Sequence, residues 1–264
     1  MISAEALRRI ARRQGIGVGW AEKDYVISWF LKELYENNCL KEVLVFKGGT
    51  ALKKVYFSET WRLSHDLDFT TIAELDSETV RRCLEEVFTA IAQKSGLALS
   101  LSSFRAIRGG LDAKIQFAGP LVHRNQLSLD ITFNEKLVTE PEWNAARTDY
   151  PDVPVIKIKV YSLKEILVEK IRSIMQRGKS RDYYDVWKLL MENEFDMVAI
   201  EALLVEKCLT KDIEYDPSLI FDDERLGETG RYWQSALGEL VRELPEFEKV
   251  VSELREKLGS LNKE

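Results

Sequence analysis

Apolar residues recur at helical spacing near the start of the chain, at Ala6, Leu7, Ile10 and Ala11 and again at Tyr25, Ile27, Trp29, Phe30 and Leu34. This spacing predicts helices over residues 4–13 and 24–36. The period then changes. Residues 42–46 (EVLVF) form a short apolar run of the strand type, ended by Lys47-Gly48-Gly49-Thr50, after which Ala51, Leu52, Val55 and Tyr56 return to helical spacing. The local order is strand, glycine turn, helix. A second strand is predicted over residues 67–71 and an amphipathic helix over 77–95, opened by Ser77 without a capping box. Strands over 97–107, 111–117 and 126–133 follow, with Gly109-Gly110 suited to a hairpin between the first two, and then one over 153–160. Ser162 and Glu165 make a capping box, and only helices are predicted from there on. Strands gathered in the first part and helices in the second predict an α+β protein: residues 1–160 form a core with a mixed sheet and N-terminal helices, and residues 161–264 a helical C-terminal domain.

Composition narrows the function classes. The 264 residues suffice for one large or two modest domains, and 45% hydrophobic with 31% charged residues describes a globular protein rather than a fibrous or disordered one. No apolar run approaches a membrane span, and the arginine-rich opening lacks the apolar stretch of a signal peptide, so the expectation is a cytoplasmic protein with no membrane partner. Cys39, Cys83 and Cys208 are far apart and odd in number, which predicts neither a disulfide framework nor a cysteine metal knuckle; with only His65 and His123 beside them, zinc is not expected. The net charge of −6 argues against a protein that coats nucleic acid, yet the charge is segregated. Residues 154–188 carry 9 basic and 4 acidic side chains, whereas residues 189–264 carry 9 and 19. Arg8, Arg9, Arg12 and Arg13 add a second basic stripe that fits either a solvated helix face or an RNA backbone.

Candidate chemistry starts at the glycines. Gly48-Gly49 between strand and helix lets a ligand approach the backbone, and the helix amides and the Thr50 hydroxyl suit a phosphate; alone, such a pair is more often a plain turn. Asp66 and Asp68, two apart on a strand, project from one face, where their repulsion calls for a cation. Asp130 interrupts the apolar strand at residues 127–131 on the face opposite Leu129 and Ile131. Three carboxylates beside an anion-binding turn suit divalent ions that align a nucleoside triphosphate.

Phe46-Lys47-Gly48-Gly49-Thr50-Ala51-Leu52 with Lys54, followed by Arg62-Leu63-Ser64-His65-Asp66-Leu67-Asp68, resembles the AbiEii/AbiGii toxin family, nucleotidyltransferases of the DNA polymerase beta-like superfamily. The run from Val160 to Lys170 and that from Arg177 to Trp187 are similar to the family's downstream motifs in order and spacing. The gap of 15 residues between Thr50 and Asp66 is longer than in polymerase-like relatives.

The resemblance implies a polymerase beta-like core whose nucleotide or acceptor site the helical domain completes. It implies that Lys47, Gly48, Gly49, Thr50, Ser64, Lys170 and Arg181 bind the nucleotide. Asp66, Asp68 and Asp130 would hold Mg²⁺ or Mn²⁺, with Asp130 either a ligand, a general base or neither. Asp66, Asp68, Asp130, Lys170, Asp182 and Asp185 make up the implied catalytic set. No acidic residue lies one turn from Lys170 on its own helix, so no partner is predicted for it; Arg181 and Asp185, four apart, fit a surface ion pair as well as a ligand contact. Tyr183, Tyr184 and Trp187 are expected to pack rather than stack on bases. The implied activity is transfer of a nucleoside monophosphate from an NTP to an acceptor hydroxyl, with an RNA (tRNA) 3′ end as candidate acceptor and a cognate antitoxin as candidate protein partner. The alternatives are a nucleotide-binding module without transfer activity, or a metal-dependent phosphohydrolase, which has no use for the glycine turn.

Overall fold

A computed structural model describes residues 1–57 and 61–262, with Ser260 and Asn262 described by backbone alone. The chain divides into two compact units, one of residues 1–135 and 141–160 and one of residues 136–140 and 161–264. In the first, helices α1 (Ala4–Gln14) and α2 (Val18–Glu36) precede strand β1 (Leu44–Lys47), the short helix α3 (Gly48–Ala51), which runs on as a π-turn over Leu52–Tyr56, and strand β2 (Leu67–Thr71). Helix α4 (Ser77–Ser95) leads into β3 (Ala98–Ile107), β4 (Gly110–Ala118), β5 (Arg124–Thr132), β6 (Glu142–Ala146) and β7 (Ile156–Val160). The seven strands form one mixed sheet in the order β3-β4-β5-β2-β1-β7-β6. β2 runs antiparallel to β1 and parallel to β5.

Alternation explains the sheet's two faces. Leu67, Phe69, Leu111, Ala113, Ile115, Leu127, Leu129 and Ile131 are all buried in one core with Val80, Leu84, Val87 and Ile91 of α4 and Tyr25, Phe30 and Leu34 of α2. At about 25 cal/mol per Å² this core supplies most of the unit's stabilisation. The alternate residues carry polar groups, and the register places Lys47, Asp68, Asp130, Asp112 and Arg105 in one row across five strands. With neighbouring strands about 4.8 Å apart, three carboxylates stand side by side between two cations.

Several elements differ from expectation. α2 begins at Val18, before the periodic apolar positions, because Gly17 ends the preceding turn in an extended conformation. The cap of α4 is Asp76, whose carboxylate accepts from the Thr79 amide, rather than Ser77. β6 was not foreseen: its pattern is short and exposed at the sheet edge, with Trp143 lying under the ammonium of Lys159. Cys39 and Cys83 are joined as a disulfide between the segment after α2 and α4. This corrects the expectation of unpaired cysteines, since two cysteines 44 residues apart meet when both helices pack on the same sheet face. Cys208 is free and buried.

The second unit contains α5 (Leu163–Arg177), α6 (Ser180–Glu192), α7 (Met197–Thr210), α8 (Asp223–Leu237) and α9 (Phe247–Leu258), with short 3₁₀ turns at Pro217–Phe221 and Gly259–Asn262. Ser162 caps α5 by accepting from the Glu165 amide at 3.1 Å. The Glu165 side chain does not complete the predicted box. It is fully buried, accepts from the amides of Val138 and Thr139 and pairs with Lys207 at 2.8 Å, which places a charged pair where helix propensity alone puts a cap. Among the described residues, no helix is long and apolar enough to cross a membrane.

Candidate active site

The glycine turn follows directly from β1. Gly48 has a φ of +79°, a left-handed conformation that side chains other than glycine's rarely adopt. A Cβ there would lie 2.5 Å from Oδ2 of Asp68, so the turn lies against this carboxylate. A Cβ on Gly49 would lie 2.8 Å from Nη2 of Arg62 and 3.1 Å from Oγ of Ser64. Arg62 is 5% exposed, a buried guanidinium against the turn that sequence reasoning did not single out. Its signal was its place in the Arg62–Asp68 run.

Thr50 is fully buried, and its hydroxyl lies 2.9 Å from that of Ser64. The predicted phosphate-binding hydroxyls therefore engage each other and join the turn to the segment carrying Asp66 and Asp68. Lys47 pairs with Glu135 at 2.5 Å and also donates to Thr132 Oγ1 at 3.2 Å, so its ammonium is anchored at the row of carboxylates.

Asp66 precedes β2 by one residue, and Asp68 is in register with Asp130 across the parallel β2–β5 pairing. Burial pushes the Asp130 carboxyl up from its ordinary range, and the neighbouring charges of Asp112 and Asp66 push it further, against the pull of Lys114 and Lys47. Asp112, opposite Asp130 on β4, was not singled out from the sequence because one Asp among polar positions of a strand carries no pattern of its own. Among the described residues, no three His, Cys, Asp or Glu side chains are gathered closely enough to hold a metal ion, so the trio Asp66, Asp68 and Asp130 is not a preformed cage. The donors nevertheless suit a hard cation. Mg²⁺ is ordinarily held by one or two carboxylates, waters and substrate phosphates, and oxygens that repel one another beside a glycine turn offer that set.

Helix α2 supports this region with residues the sequence did not mark. Asp24, buried, pairs with Lys54 at 2.8 Å and Lys53 at 3.3 Å, accepts from Tyr150 at 3.1 Å, and so fixes the π-turn after the glycines. Burial pushes its carboxyl up, but Lys54 and Lys53 outweigh it and hold the group well below the usual carboxylate range. Lys54 is pulled down by burial. On the same helix, Lys23 Nζ lies 3.4 Å from His65 Nε2, and the Trp20 ring meets the His65 ring edge-on at 4.6 Å. Burial lowers the Lys23 ammonium, and the charge of Asp66 opposes that shift.

The helical unit has its own charged cluster. Lys170 pairs with Asp182 at 3.2 Å and Asp185 at 2.8 Å, and Arg177 pairs with Asp182 at 2.9 Å. Asp182 and Asp185 are 1% and 0% exposed, and they correct one expectation: Lys170 has acidic partners, contributed by α6; of the two readings open for Asp185, its burial disfavours a surface pair with the exposed Arg181. Helix periodicity within α5 does not reveal partners on a neighbouring helix. Tyr183 and Tyr184 are buried packing residues, and Trp187 donates to Glu253. Lys159, read as part of the basic segment, is largely buried and bonds to Glu42.

The family model "Nucleotidyl transferase AbiEii toxin, Type IV TA system" matches residues 29–253. Among solved structures, the nucleotidyltransferase toxin MenT4 from Mycobacterium tuberculosis H37Rv superposes with a TM-score of 0.74 at 20% identity, covering 100% of this chain and 91% of that one. An antigenic nucleotidyltransferase-like protein from Paracoccidioides brasiliensis, 15% identical, covers 76% of this chain and 97% of that one with a TM-score of 0.40. No curated protein matches the chain. The likeness to MenT4 shows the α+β nucleotidyltransferase fold with its C-terminal helices, as the sequence led us to expect. With the family model spanning most of its length, the chain belongs to the AbiEii family of nucleotidyltransferase toxins of type IV toxin–antitoxin systems.

Proposed function

We propose that this nucleotidyltransferase moves a nucleoside monophosphate from an NTP to an acceptor hydroxyl, with release of pyrophosphate, and that Mg²⁺ or Mn²⁺ serves the reaction. The observation that carries this reading is the register of Asp68 with Asp130 directly beside the Gly48 turn. Asp66 and Asp68 would hold the metal, which when bound neutralises triphosphate charge. Gly48, whose left-handed backbone turns the chain against Asp68, and the buried Arg62 guanidinium beside Gly49 would meet the phosphate oxygens. Asp130, in register beside Asp68 and with its carboxyl pushed up from the ordinary carboxylate range, is assigned the acceptor's proton.

In the helical unit, Lys170 is assigned a phosphate contact, with Asp182 and Asp185 orienting its ammonium. The acceptor is assigned to the 3′ end of an RNA such as tRNA, for which the exposed Lys179 and Arg181 of the basic segment offer phosphate contacts. A cognate antitoxin is the expected partner, consistent with the type IV family, and the cytoplasm the expected compartment. Incubation of the protein with each α-labelled NTP and total RNA tests the reading. It predicts label in RNA from at least one NTP in the presence of Mg²⁺ or Mn²⁺. Binding of NTP without pyrophosphate release would establish the non-transferring module instead, and release of inorganic phosphate alone the phosphohydrolase.

A further inference from the structure

The polar face of the sheet continues past the carboxylates. From Asp68 the strand order runs through Asp130 of β5 to β4, away from β1 and its glycine turn. Side chains two apart on a strand share a face, so the pair after Asp112 and Asp130 is Lys114 of β4 opposite Ser128 of β5, and the Lys114 ammonium donates to the Ser128 hydroxyl at 2.8 Å. Ser103 of β3 is in register with Lys114 on its other side. One step further along the face, Gln116 stands opposite Gln126. Lys114 is half-buried, and among the described residues it forms no ion pair; its partner is a neutral hydroxyl. A cation held in place without a counter-charge, beside hydroxyls and amides, suits an anion from outside the chain.

We propose that Lys114 and Ser128, continued by Gln116 and Gln126, form the acceptor subsite, with the Lys114 ammonium on the phosphodiester next to the RNA's terminal hydroxyl. The proposal rests on the reading that places the triphosphate at the Gly48 turn and takes an RNA end as acceptor. Phosphoryl transfer sets the attacking oxygen and the leaving pyrophosphate roughly in line, on opposite sides of the phosphorus. β1 and β4 flank β2 and β5, three strand spacings or roughly 14 Å apart, so pyrophosphate at the Gly48 turn leaves the acceptor to come in from the β4 side, past Asp130. Both flanks point to the same end of the carboxylate row. β1 runs out at Lys47, level with Asp68, toward the start of β2, and Lys114 lies beyond Asp112 toward the start of β5, which is parallel to β2. Because Ser128 holds the ammonium without neutralising it, an incoming phosphate displaces no carboxylate, and the half-buried position limits screening by salt.

Transfer to unfractionated tRNA, with KM for tRNA and KM for NTP measured separately, tests the assignment. Lys114→Met is expected to raise KM for tRNA about tenfold and to leave KM for NTP within about twofold, since only the acceptor loses a contact. The slope of log tRNA affinity against log salt is expected to flatten by about 0.7 to 0.9, the share of one phosphate contact, which a merely structural lysine would not change. Lys114→Gln is expected to repeat the loss and serves if the methionine variant melts early; Lys114→Arg is expected to keep the wild-type tRNA affinity and salt slope. Unchanged KM for tRNA and unchanged slope in folded Lys114→Met or Lys114→Gln overturn the proposal while leaving the transferase reading standing. A rise confined to KM for NTP overturns it by assigning the ammonium to the triphosphate. Transfer by the wild-type protein to a protein hydroxyl and not to RNA overturns the proposal together with the RNA acceptor on which it rests.

Discussion

Gly48 lies so close to Asp68 that a Cβ on the glycine would meet the carboxylate oxygen at 2.5 Å. Gly48 directly follows β1, whose last residue Lys47 is in register with Asp68 of the antiparallel strand β2, so strand pairing ties the turn to the carboxylate. Gly48→Ala combines a left-handed backbone with this collision, and the expected result is a stability loss of about 1–3 kcal/mol. Displacement of the Asp68 oxygen is expected to cost turnover about a hundredfold, the usual effect of a misplacement of about 1 Å. Thermal melting and steady-state kinetics of the variant check both; wild-type turnover would show that the turn does not set the position of Asp68.

Asp24 is expected to be the costliest single charge to remove from the first unit. Asp24→Asn leaves the buried Lys54 without its carboxylate, a change of about 3–5 kcal/mol measured by chemical denaturation. The pH dependence has a definite sign. Because the folded-state carboxyl is held low by Lys54 and Lys53, its stabilisation is present above the unfolded value of about 3.9 and is lost as pH falls toward the folded value. Wild-type stability is expected to decline below about pH 4 more steeply than that of Asp24→Asn. Parallel pH profiles for the two proteins would contradict the pairing.

The strand, glycine turn and helix around Gly48, and β2 with Asp66 just before it and Asp68 within it, were legible in the sequence because alternation and glycine placement are local signals. Gly48, Gly49, Asp66, Asp68 and Asp130 stood out only through the family resemblance, since each local pattern alone is common; strand register and the glycine turn place Gly48, Asp68 and Asp130 side by side. What the sequence did not show depends on contacts distant along the chain: Lys23 against His65, Asp24 under Lys54, Arg62 behind Gly49, Asp112 opposite Asp130 and Lys170 between two carboxylates of α6. In each case the side chain alone has the composition of an ordinary surface residue, and only packing reveals that it is buried or paired. The edge strand β6 was missed because an exposed strand of five residues carries no hydrophobic period.

The disulfide between Cys39 and Cys83 closes a loop that contains β1, the glycine turn and β2. Reduction is expected to lower stability by about 2–4 kcal/mol, since the unfolded chain regains the entropy of that loop. Comparison of melting temperatures with and without reductant, and of Cys39→Ser, checks this; identical values would show that the bridge adds nothing to the folded state.

Lys170→Met leaves Asp182 and Asp185 buried with one cation fewer, and a loss of about 3–5 kcal/mol is expected. Adding Asp185→Asn to the same protein removes one of those charges and is expected to restore part of the loss, a coupling read from a double-mutant cycle. Additive effects would mean that Lys170 and Asp185 act independently of each other.

The most direct measurement is pyrophosphate release from NTP by the purified protein in the presence of Mg²⁺ and RNA, compared with Asp68→Asn. Nucleotidyl transfer at the Gly48–Asp68 centre predicts release by the wild-type protein and a loss of at least about a hundredfold in the variant, with the melting temperature of the metal-free variant equal to or above that of the wild type. Release at the wild-type rate by folded Asp68→Asn would contradict the assignment of this carboxylate to catalysis.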